Sequence, residues 1–270
     1  MQLLIGPVLG ILIALLAWRA RALSYSGAWG AAIIGGLIFG LGGLAWATLL
    51  LAFFISSSVL SRTFGTKKSS LSEKFAKGSQ RDWGQVMANG GLGAGLAIIY
   101  NLLPEQSWIW FAFAGAMAAV NADTWSTELG VLNPTPPRLI NNGKLVERGT
   151  SGGISQLGSL AALGGAVFIA VLAGIFPIGG SSSWESFTSM LAATTLGGLG
   201  GAFFDSYLGA TVQAIYWCPS CQKQTEHHPL HICGTHTSQM RGWRWMNNDV
   251  VNFVASITGA LLAISVWLIF

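Results

Sequence analysis

Long apolar stretches alternate with short polar segments along the whole chain. A bilayer core of about 30 Å is crossed by a helix of about 20 apolar residues. On that length the pattern predicts eight spanning helices, at 2–18, 28–43, 44–60, 84–103, 107–129, 153–176, 187–212 and 250–269. We therefore expect an all-α transmembrane bundle that forms one membrane domain over residues 1–270, with a longer cytosolic loop at 213–248.

Composition supports a membrane protein. The chain is 52% hydrophobic and 9% charged, whereas a soluble domain carries about 25% charged residues. It also has 36 glycines and 12 tryptophans, which suit close helix packing and the membrane interface respectively. A net charge of +4 does not indicate nucleic acid as a partner, because the cations lie in short loops between apolar spans.

The cations are distributed on one side of the predicted bundle. Placing the spans in order puts all 14 lysines and arginines on the side reached after the first helix: Arg19, Arg21, Arg62, Lys67, Lys68, Lys74, Lys77, Arg81, Arg138, Lys144, Arg148, Lys223, Arg241 and Arg244. The positive-inside rule makes this side cytosolic. Both termini are then expected on the other side, and eight of the ten acidic residues also fall at the cytosolic side.

Polar residues inside the fourth and fifth spans indicate function, since ionisable groups in a membrane are costly. Asp82, Gln85 and Asn89 share one face of the fourth span, as a binding face or as a polar packing seam. In the fifth span Asp123 and Glu128 lie among several hydroxyls. Such hard oxygen ligands suit Mg²⁺; the alternative is a helix that simply emerges into water.

The last two spans carry a similar signal. Asp205 lies in the seventh span, and its Asp-Ser-Tyr sequence resembles the Asp-Thr-Trp at Asp123, which is consistent with an internal repeat. Asn248, Asp249 and Asn252 surround the start of the eighth span. Asparagine and aspartate are favoured helix N-caps, but capping accounts for only one or two of these groups.

The loop before the sixth span combines cations with a turn rich in glycine and hydroxyls. Arg138, Lys144 and Arg148 precede the sequence Gly-Thr-Ser-Gly-Gly at 149–153. Backbone N–H groups at a helix start attract anions. The segment therefore predicts a phosphate site, although a capped helix beside ordinary cytosolic charges is the simpler alternative.

The long loop contains a cysteine and histidine cluster. Cys218 and Cys221 form one pair, and Cys233 and His236 a second. This spacing resembles a structural zinc knuckle, with His231 or His227 as the other candidates for the fourth ligand. A cytosolic position disfavours a disulfide.

Several of these stretches together resemble one family of integral membrane proteins of unknown function. The resemblance covers essentially the whole chain and is most specific at 121–130, with further matches at 148–153, at Asp205, Ser206 and Gly209, and at 248–252. The family includes the plant and cyanobacterial phytyl-phosphate kinase of tocopherol biosynthesis. A bacterial membrane, cyanobacterial ones included, is the location that this resemblance favours. The cysteine insertion looks like a feature of only part of the family.

The resemblance implies transfer of the γ-phosphate of a nucleotide, with CTP as the expected donor, to phytyl phosphate or a related isoprenoid monophosphate. Asp123, Glu128, Asp205 and Asp249 would then be catalytic and hold Mg²⁺. The expected nucleotide- and phosphate-binding residues are Arg81, Asp82, Asn89, Asn121, Arg138, Lys144, Arg148, Thr150, Ser151, Gly152, Gly153, Asn248 and Asn252. The expected partners are membrane lipid, the nucleotide and the isoprenoid phosphate.

Two other enzyme classes and one transport class compete with this interpretation. A polyprenol or phytol kinase, or a CTP-dependent cytidylyltransferase, would share the nucleotide and Mg²⁺ but differ in the acceptor. A transporter would place its site near the bilayer midplane with access from both sides. The clustering of acidic groups towards one face disfavours transport.

Overall fold

The computed structural model describes residues 2–68, 80–104, 106–176 and 183–269, and it is built mainly of helices. The predicted helical bundle is confirmed. The helices are α1 Gln2–Arg19, α2 Tyr25–Leu37 with a π-helical continuation at Ile38–Gly42, α3 Leu44–Lys68, α4 Trp83–Leu102, α5 Ser107–Gly130, α6 Gln156–Ile175, α7 Trp184–Thr211 and α8 Asn248–Trp267.

Most helix boundaries lie within three residues of the sequence prediction, and two of the differences affect the residues around the site. Helix α3 continues to Lys68 rather than ending at residue 60, and α6 begins at Gln156 rather than at residue 153. The residues before α6 form a short hairpin instead, in which β1 (Arg138–Leu139) pairs antiparallel with β2 (Gly153–Ile154). Lys74 and Lys77 of the predicted basic loop lie outside the described residues.

Six helical segments in the described ranges are long and apolar enough to cross a membrane. Helices α4 and α5 are not among them, although both coincide with predicted spans. For α5 the reason is its position, because its residues from Ile109 to Ala122 are all buried. A helix enclosed by protein needs no continuous apolar surface towards lipid, so alanine, glycine and polar residues can replace leucine and isoleucine there.

Helix α5 is the centre of the bundle, and α3, α4, α6, α7 and α8 pack around it. Stacked aromatic rings fix the first turns of α3 to α5. The centroids of Trp46 and Phe113 are 4.2 Å apart, and Trp110 lies against both rings. The packing therefore fixes α3 relative to the helix that carries the predicted carboxylates.

The segment between α7 and α8, which the sequence predicts as a loop, folds into a small sheet. It contains β3 (Ile215–Cys218), β4 (Lys223–Thr225) and β5 (Ser238–Arg241). These strands form an antiparallel sheet in the order β4-β3-β5. The chain leaves α7 directly into the central strand and returns from an edge strand to α8, so the sheet lies where α7 ends and α8 begins.

Glycines bring α5, α7 and α8 into direct backbone contact. A Cβ atom added to Gly259 of α8 would lie 2.6 Å from the Cβ of Ala119 and 2.7 Å from the carbonyl oxygen of Gly115. A Cβ added to Gly197 of α7 would lie 2.6 Å from the carbonyl oxygen of Gly259. Without side chains at these positions the three helices approach as closely as small-residue motifs allow in membranes.

Gly259→Ala is expected to destabilise the protein, because the new methyl group meets a backbone carbonyl that cannot move aside. Overpacking of this kind costs about 1–3 kcal/mol, which exceeds the helix-propensity gain of about 1 kcal/mol from Gly to Ala. The measurement is the Tm of the purified protein in detergent.

Gly95→Ala in α4 is the matched control, since an added Cβ there meets nothing within 4 Å. Its Tm should equal or exceed that of the parent protein. A Gly259→Ala protein as stable as the Gly95→Ala protein would contradict the packing described.

Candidate functional site

The glycine contacts set Asp123 and Asp205 at the same depth. A Cβ on Gly201 of α7 would meet the Cβ of Ala119 of α5, and these two helices run in the same direction through the bundle. Asp123 and Asp205 each lie four residues beyond this contact, which is about one helical turn. The two aspartates of the suspected repeat are therefore neighbours on adjacent parallel helices.

Asp205 lies in an unusual electrostatic environment. Its carboxylate interacts unfavourably with two other carboxylates, those of Asp123 and Glu226. Its Oδ2 atom is buried and has no hydrogen-bond partner among the described residues. A buried carboxylate oxygen without a partner, beside two like charges, is a costly arrangement that a bound cation would relieve. These residues therefore fit a divalent metal ion.

Glu226 was not identified from the sequence. It follows β4 and accepts a hydrogen bond of 2.8 Å from Nε2 of Gln213, a fully buried residue just after α7. The Oε1 atom of Gln213 in turn accepts a hydrogen bond of 2.5 Å from Ser151. Gln213 thus joins the sheet, the end of α7 and the Gly-Thr-Ser-Gly-Gly turn. Only the tertiary fold brings Glu226 to Asp205.

Arg241 is a second functional candidate that the sequence prediction did not single out. Its Nη2 atom donates a hydrogen bond of 3.3 Å to the carbonyl of Ser151, and its Nη1 atom is buried without a partner in the described ranges. Burial lowers the pKa of Arg241, and Glu226 acts in the opposite direction. A cation therefore lies beside the predicted phosphate loop.

The start of α8 lies at the same end of the bundle. Asn247 is the N-cap and accepts a hydrogen bond of 3.1 Å from the backbone of Val250, so Asn248 and Asp249 belong to the first turn. Both are half-buried, as is Asn252. Because α8 runs antiparallel to α7 and Ala255 meets Gly201, Asn252 lies near the depth of Asp205.

Asn121 has a structural role that the site prediction did not anticipate. It is fully buried and donates a hydrogen bond of 2.8 Å to the carbonyl of Gly165 in α6. Its Oδ1 accepts a hydrogen bond of 3.1 Å from Ser56 in α3. Its side chain is thus used in joining three helices, which corrects its assignment to nucleotide binding.

The serines of α3 are further polar residues at this site that the sequence analysis did not identify. The Ser-Ser-Ser sequence within this membrane helix was a visible indication of them.

Glu128 faces α3, where Ser61 donates a hydrogen bond of 2.8 Å to its carboxylate. It also interacts favourably with Arg81, whose pKa burial lowers to about 10; the guanidinium therefore stays charged near neutral pH. Asp123 points to a different face of α5, as the helical period requires. Among the described residues, the four predicted carboxylates do not gather within 4.8 Å as one cluster. Of these four residues, Asp123 and Asp205 are the two whose carboxylates interact directly with each other.

The polar residues predicted on one face of the fourth span have two different roles in the structure. Asp82 is the N-cap of α4 and forms a reciprocal capping box with Gln85, which is the packing alternative for that residue. Asn89 lines a cavity between the first four helices. The Asp82–Gln85–Asn89 pattern thus combines a helix cap with a residue that lines a cavity.

The predicted phosphate loop differs from a free helix N-terminus. The first backbone donors of α6 are already satisfied, since Gly158 donates to Ser155 at 3.1 Å and Leu157 donates to Asn133 at 3.3 Å. The turn packs instead on the end of α7, where Gly152 has a φ of 84° and lies against Ala210. Thr150, Ser151, Gly152 and Gly153 therefore lie beside Arg241 rather than at a helix dipole, which corrects the physical basis of the prediction.

The three cations of this loop have different surroundings. Arg148 donates hydrogen bonds of 2.7 and 2.8 Å to the carbonyls of Asn133 and Pro134. Arg138 donates one of 2.9 Å to the carbonyl of Gly143. Lys144 is exposed. Arg148 and Arg138 thus hold the loop in shape, and Lys144 is free to reach an anion in solution.

Three cysteines and one histidine converge in the sheet domain. Cys218, Cys221, Cys233 and His231 place their ligand atoms within 4.8 Å of one another. The Sγ atoms of Cys218 and Cys233 are 3.6 Å apart, and Nδ1 of His231 lies 3.5 Å from Cys221 and 3.3 Å from Cys233. Tetrahedral zinc, with bonds of about 2.3 Å to sulfur and about 2.0 Å to nitrogen, requires S···S and S···N edges of about 3.8 and 3.5 Å. The geometry fits zinc.

His231 rather than His236 is the histidine of this cluster. His231 is buried, whereas His236 is exposed and pairs with Leu230 through its backbone. The choice of His236 by spacing was therefore wrong, and the alternative of His231 holds. Hydrogen bonds with Thr235 and then with His231 lower the pKa of Cys233 to about 6.

Fold and site together define a polytopic membrane protein with a charged site at one end. Residues 8–260 match the family model described as integral membrane protein DUF92. The chain belongs to this family. No solved structure matches it.

Its relatives include proteins of plants, archaea and cyanobacteria. It is 32% identical to Protein PGR of Arabidopsis thaliana, over 97% of this chain and 94% of that protein. It is 28% identical to an uncharacterized membrane protein of Methanocaldococcus jannaschii, over 98% and 94% of the two chains. It is 26% identical to Protein VTE6, chloroplastic, of Arabidopsis thaliana, over 90% of this chain and 64% of that protein.

We expect the purified protein to carry about one zinc ion per chain, held by three thiolates and one imidazole. Cys218→Ser and His231→Ala should each lose the ion, because three ligands hold zinc far less well than four. Elemental analysis by plasma mass spectrometry measures the zinc content.

His236→Ala is the matched control and should keep its zinc. A His236→Ala protein without zinc, beside a His231→Ala protein that retains it, would reverse the ligand assignment.

Proposed function

We propose that this protein is an isoprenoid-phosphate kinase that transfers the γ-phosphate of a nucleotide, with CTP as the expected donor, to phytyl phosphate or a related monophosphate. The observation that carries the proposal is the pair of aspartates on adjacent parallel helices. Asp205 has a buried carboxylate oxygen without a hydrogen-bond partner in the described part of the chain. Membership of a family whose motifs resemble those of phytyl-phosphate kinase supports the same activity.

Asp123 and Asp205 would hold Mg²⁺, with Asn252 near the same depth. When bound, the ion supplies positive charge to the phosphate oxygens of the nucleotide, which is the main requirement of phosphoryl transfer. Asp205 lies six residues before the end of α7, about 9 Å along the helix axis. The site is therefore shallow enough for a nucleotide from solution and deep enough for a lipid-dissolved acceptor.

The reaction transfers one phosphoryl group between two phosphates. An oxygen of the isoprenoid monophosphate forms a bond to the γ-phosphorus, and the bond from that phosphorus to the β-phosphate oxygen breaks. The products are the isoprenoid diphosphate and a nucleoside diphosphate. The acceptor oxygen is already anionic, so no strong general base is needed.

Cations at the site would orient the donor. Arg241 has a buried Nη1 atom without a described partner and lies beside the Ser151 and Gly152 backbone. We assign it to the nucleotide phosphates, with exposed Lys144 at the entrance. Glu226 attracts Arg241 and repels Asp205, so a cation at Arg241 would offset part of the negative charge that surrounds the aspartate.

The zinc cluster would act structurally, since three cysteines and one histidine leave no open coordination position. Cys218 ends β3, while Glu226 follows β4 and Arg241 ends β5. Zinc would therefore hold the sheet that presents Glu226 and Arg241 to the membrane site.

The deciding test incubates the purified protein with phytyl phosphate, geranylgeranyl phosphate, phytol or geranylgeraniol, together with each nucleoside triphosphate and Mg²⁺. Formation of a diphosphate from a monophosphate and CTP supports the proposal. Phosphorylation of the alcohols alone would make the protein a polyprenol kinase, in which the buried oxygen of Asp205 serves as a base. A cytidylyl adduct would identify a cytidylyltransferase, and no product with any pair would overturn the enzyme assignment.

Asp123→Asn and Asp205→Asn are each expected to lower kcat by at least about 100-fold, the scale on which loss of an electrostatic stabiliser of a transition state acts. Both proteins should insert and elute as the parent does, because the amide has nearly the same shape as the carboxylate. Steady-state kinetics and size-exclusion chromatography measure the two properties.

Glu185→Gln is the control, since Glu185 is an exposed acid in the first turn of α7 at the opposite end. Its kcat should be unchanged. Full activity of either aspartate variant would refute the metal assignment.

A further inference from the structure

A narrow cavity lies between α3, the first two helices and α4. Helix α3 packs on α5 and on the π-helical segment, but within the described ranges it makes few close backbone approaches to α1, α2 or α4. The gap that remains has a volume of about 180 Å³. Its walls come from all four helices, including Ala14 of α1, Ala31 of α2 and Ala47 of α3.

The cavity is apolar except for one stripe. Arg81, Gln85 and Asn89 are the polar side chains among its lining residues, and they recur at every fourth position from the start of α4 inwards. Gln85 and Asn89 are one turn apart in α4 and share a helix face, and Arg81 lies just before the helix begins. The polar face noted in the sequence of this region therefore lines the cavity between the four helices.

Arg81 closes the cytosolic end of this cavity. Its backbone bonds to the α1–α2 turn, donating to Ala22 and accepting from Ser24. Its guanidinium lies 5.0 Å from the ring centroid of Phe53 and 5.3 Å from that of Phe54, and Nη2 donates a hydrogen bond of 2.6 Å to Ser57. The cation is thus fixed on α3 by contacts that hold it at one place.

The other terminal nitrogen of Arg81 has no such contact. Nη1 is buried and without a hydrogen-bond partner among the described residues. A buried guanidinium donor costs about 1–3 kcal/mol when unsatisfied, and guanidinium matches phosphate oxygens in two-point hydrogen bonds. An anionic oxygen at the mouth of the cavity would remove this cost.

The size of the cavity limits what it encloses. A cavity of about 180 Å³ is smaller than the pockets of about 300–1,000 Å³ that bury most of a drug-sized ligand. It therefore encloses the start of an isoprenoid chain and not all of a twenty-carbon chain. The rest of a longer chain must leave the cavity for the surrounding bilayer.

We propose that this cavity binds the acceptor: Arg81 takes the phosphate of an isoprenoid monophosphate, and the apolar walls between α1 and α4 enclose its first isoprene unit. The assignment rests on the proposed kinase function and moves Arg81 from nucleotide binding to acceptor binding. Arg81 interacts with Glu128, which lies five residues beyond Asp123, about 8 Å along α5. The acceptor phosphate would thus lie at the same end of the bundle as the aspartate pair. Chemical identity of the first unit, rather than total chain length, would set specificity.

The test is photolabelling of the full-length protein in phosphatidylcholine nanodiscs, without nucleotide, by a geranylgeranyl monophosphate that carries a diazirine on its first isoprene unit. Label is expected on peptides of α1 and α3 that line the cavity. Unlabelled geranyl and geranylgeranyl monophosphates should compete about equally, and geranylgeraniol or phosphatidic acid should compete much less. Label elsewhere, or equal competition by phosphatidic acid, would overturn the proposal.

Variants of the walls and of the cation complete the test. Ala47→Phe and Ala31→Phe fill the cavity and should lower labelling by about tenfold or more, equivalent to about 1.4 kcal/mol. Ile55→Phe and Ile33→Phe are matched controls on the same helices, since both side chains are exposed on the outer surface, and should label normally. A second probe is the same diazirine compound without its phosphate, which is an alcohol. Arg81→Gln should remove the preference for the monophosphate probe over this alcohol, while labelling by the alcohol persists.

Labelling without nucleotide separates this proposal from the kinase assignment. Label in the cavity without turnover by any nucleotide would sustain the acceptor site and refute the kinase. Normal turnover with undiminished labelling in both cavity variants would refute the acceptor site and leave the kinase intact.

Discussion

The close approach of three helix backbones determines most of what this protein can do. Gly115, Gly197 and Gly259 let α5, α7 and α8 meet without intervening side chains. In a bilayer, where apolar burial drives helix association weakly, such contact supplies much of the packing energy. It also sets relative depth, because helices in backbone contact cannot slide without collision. The alignment of Asp123 with Asp205 therefore follows from residues more than one helical turn away from either.

A second consequence of this arrangement is the unequal enclosure of the helices. Helix α5 is surrounded and carries polar groups that bond to neighbours on several sides, such as Asn121 to Gly165 and Ser56. Helix α3 is held to α5 at both ends, by the rings of Trp46 and Phe113 and by the hydrogen bond from Ser61 to Glu128. The surrounded helix thus fixes charged and polar groups through its neighbours.

The sequence predicted the helices well because apolar length is a direct requirement of the bilayer. It also singled out Asp123 and Asp205, since an aspartate within a span has few structural explanations, and the structure places the two carboxylates close enough to interact. It could not predict Glu226 or Arg241, which lie in a sheet whose strands are only three or four residues long and reach the site through tertiary contacts. Spacing alone likewise favoured His236 over His231, because the turn at 227–236 that buries one and exposes the other leaves no periodic signal. Asn121 was misassigned for the opposite reason, as an amide buried between helices looks the same in sequence as one that binds a ligand.

The shared direction of α5 and α7 bears on how such a site arises. Helix α6 returns the chain across the bundle, so α5 and α7 cross it the same way. A gene segment that encodes one helix, copied in tandem, would place the second aspartate on the opposite face of the membrane. A segment that encodes two helices places it beside the first. The resemblance of Asp-Thr-Trp to Asp-Ser-Tyr is what duplication of a helical hairpin would leave behind, and it gives a two-aspartate site an origin in a single copying event.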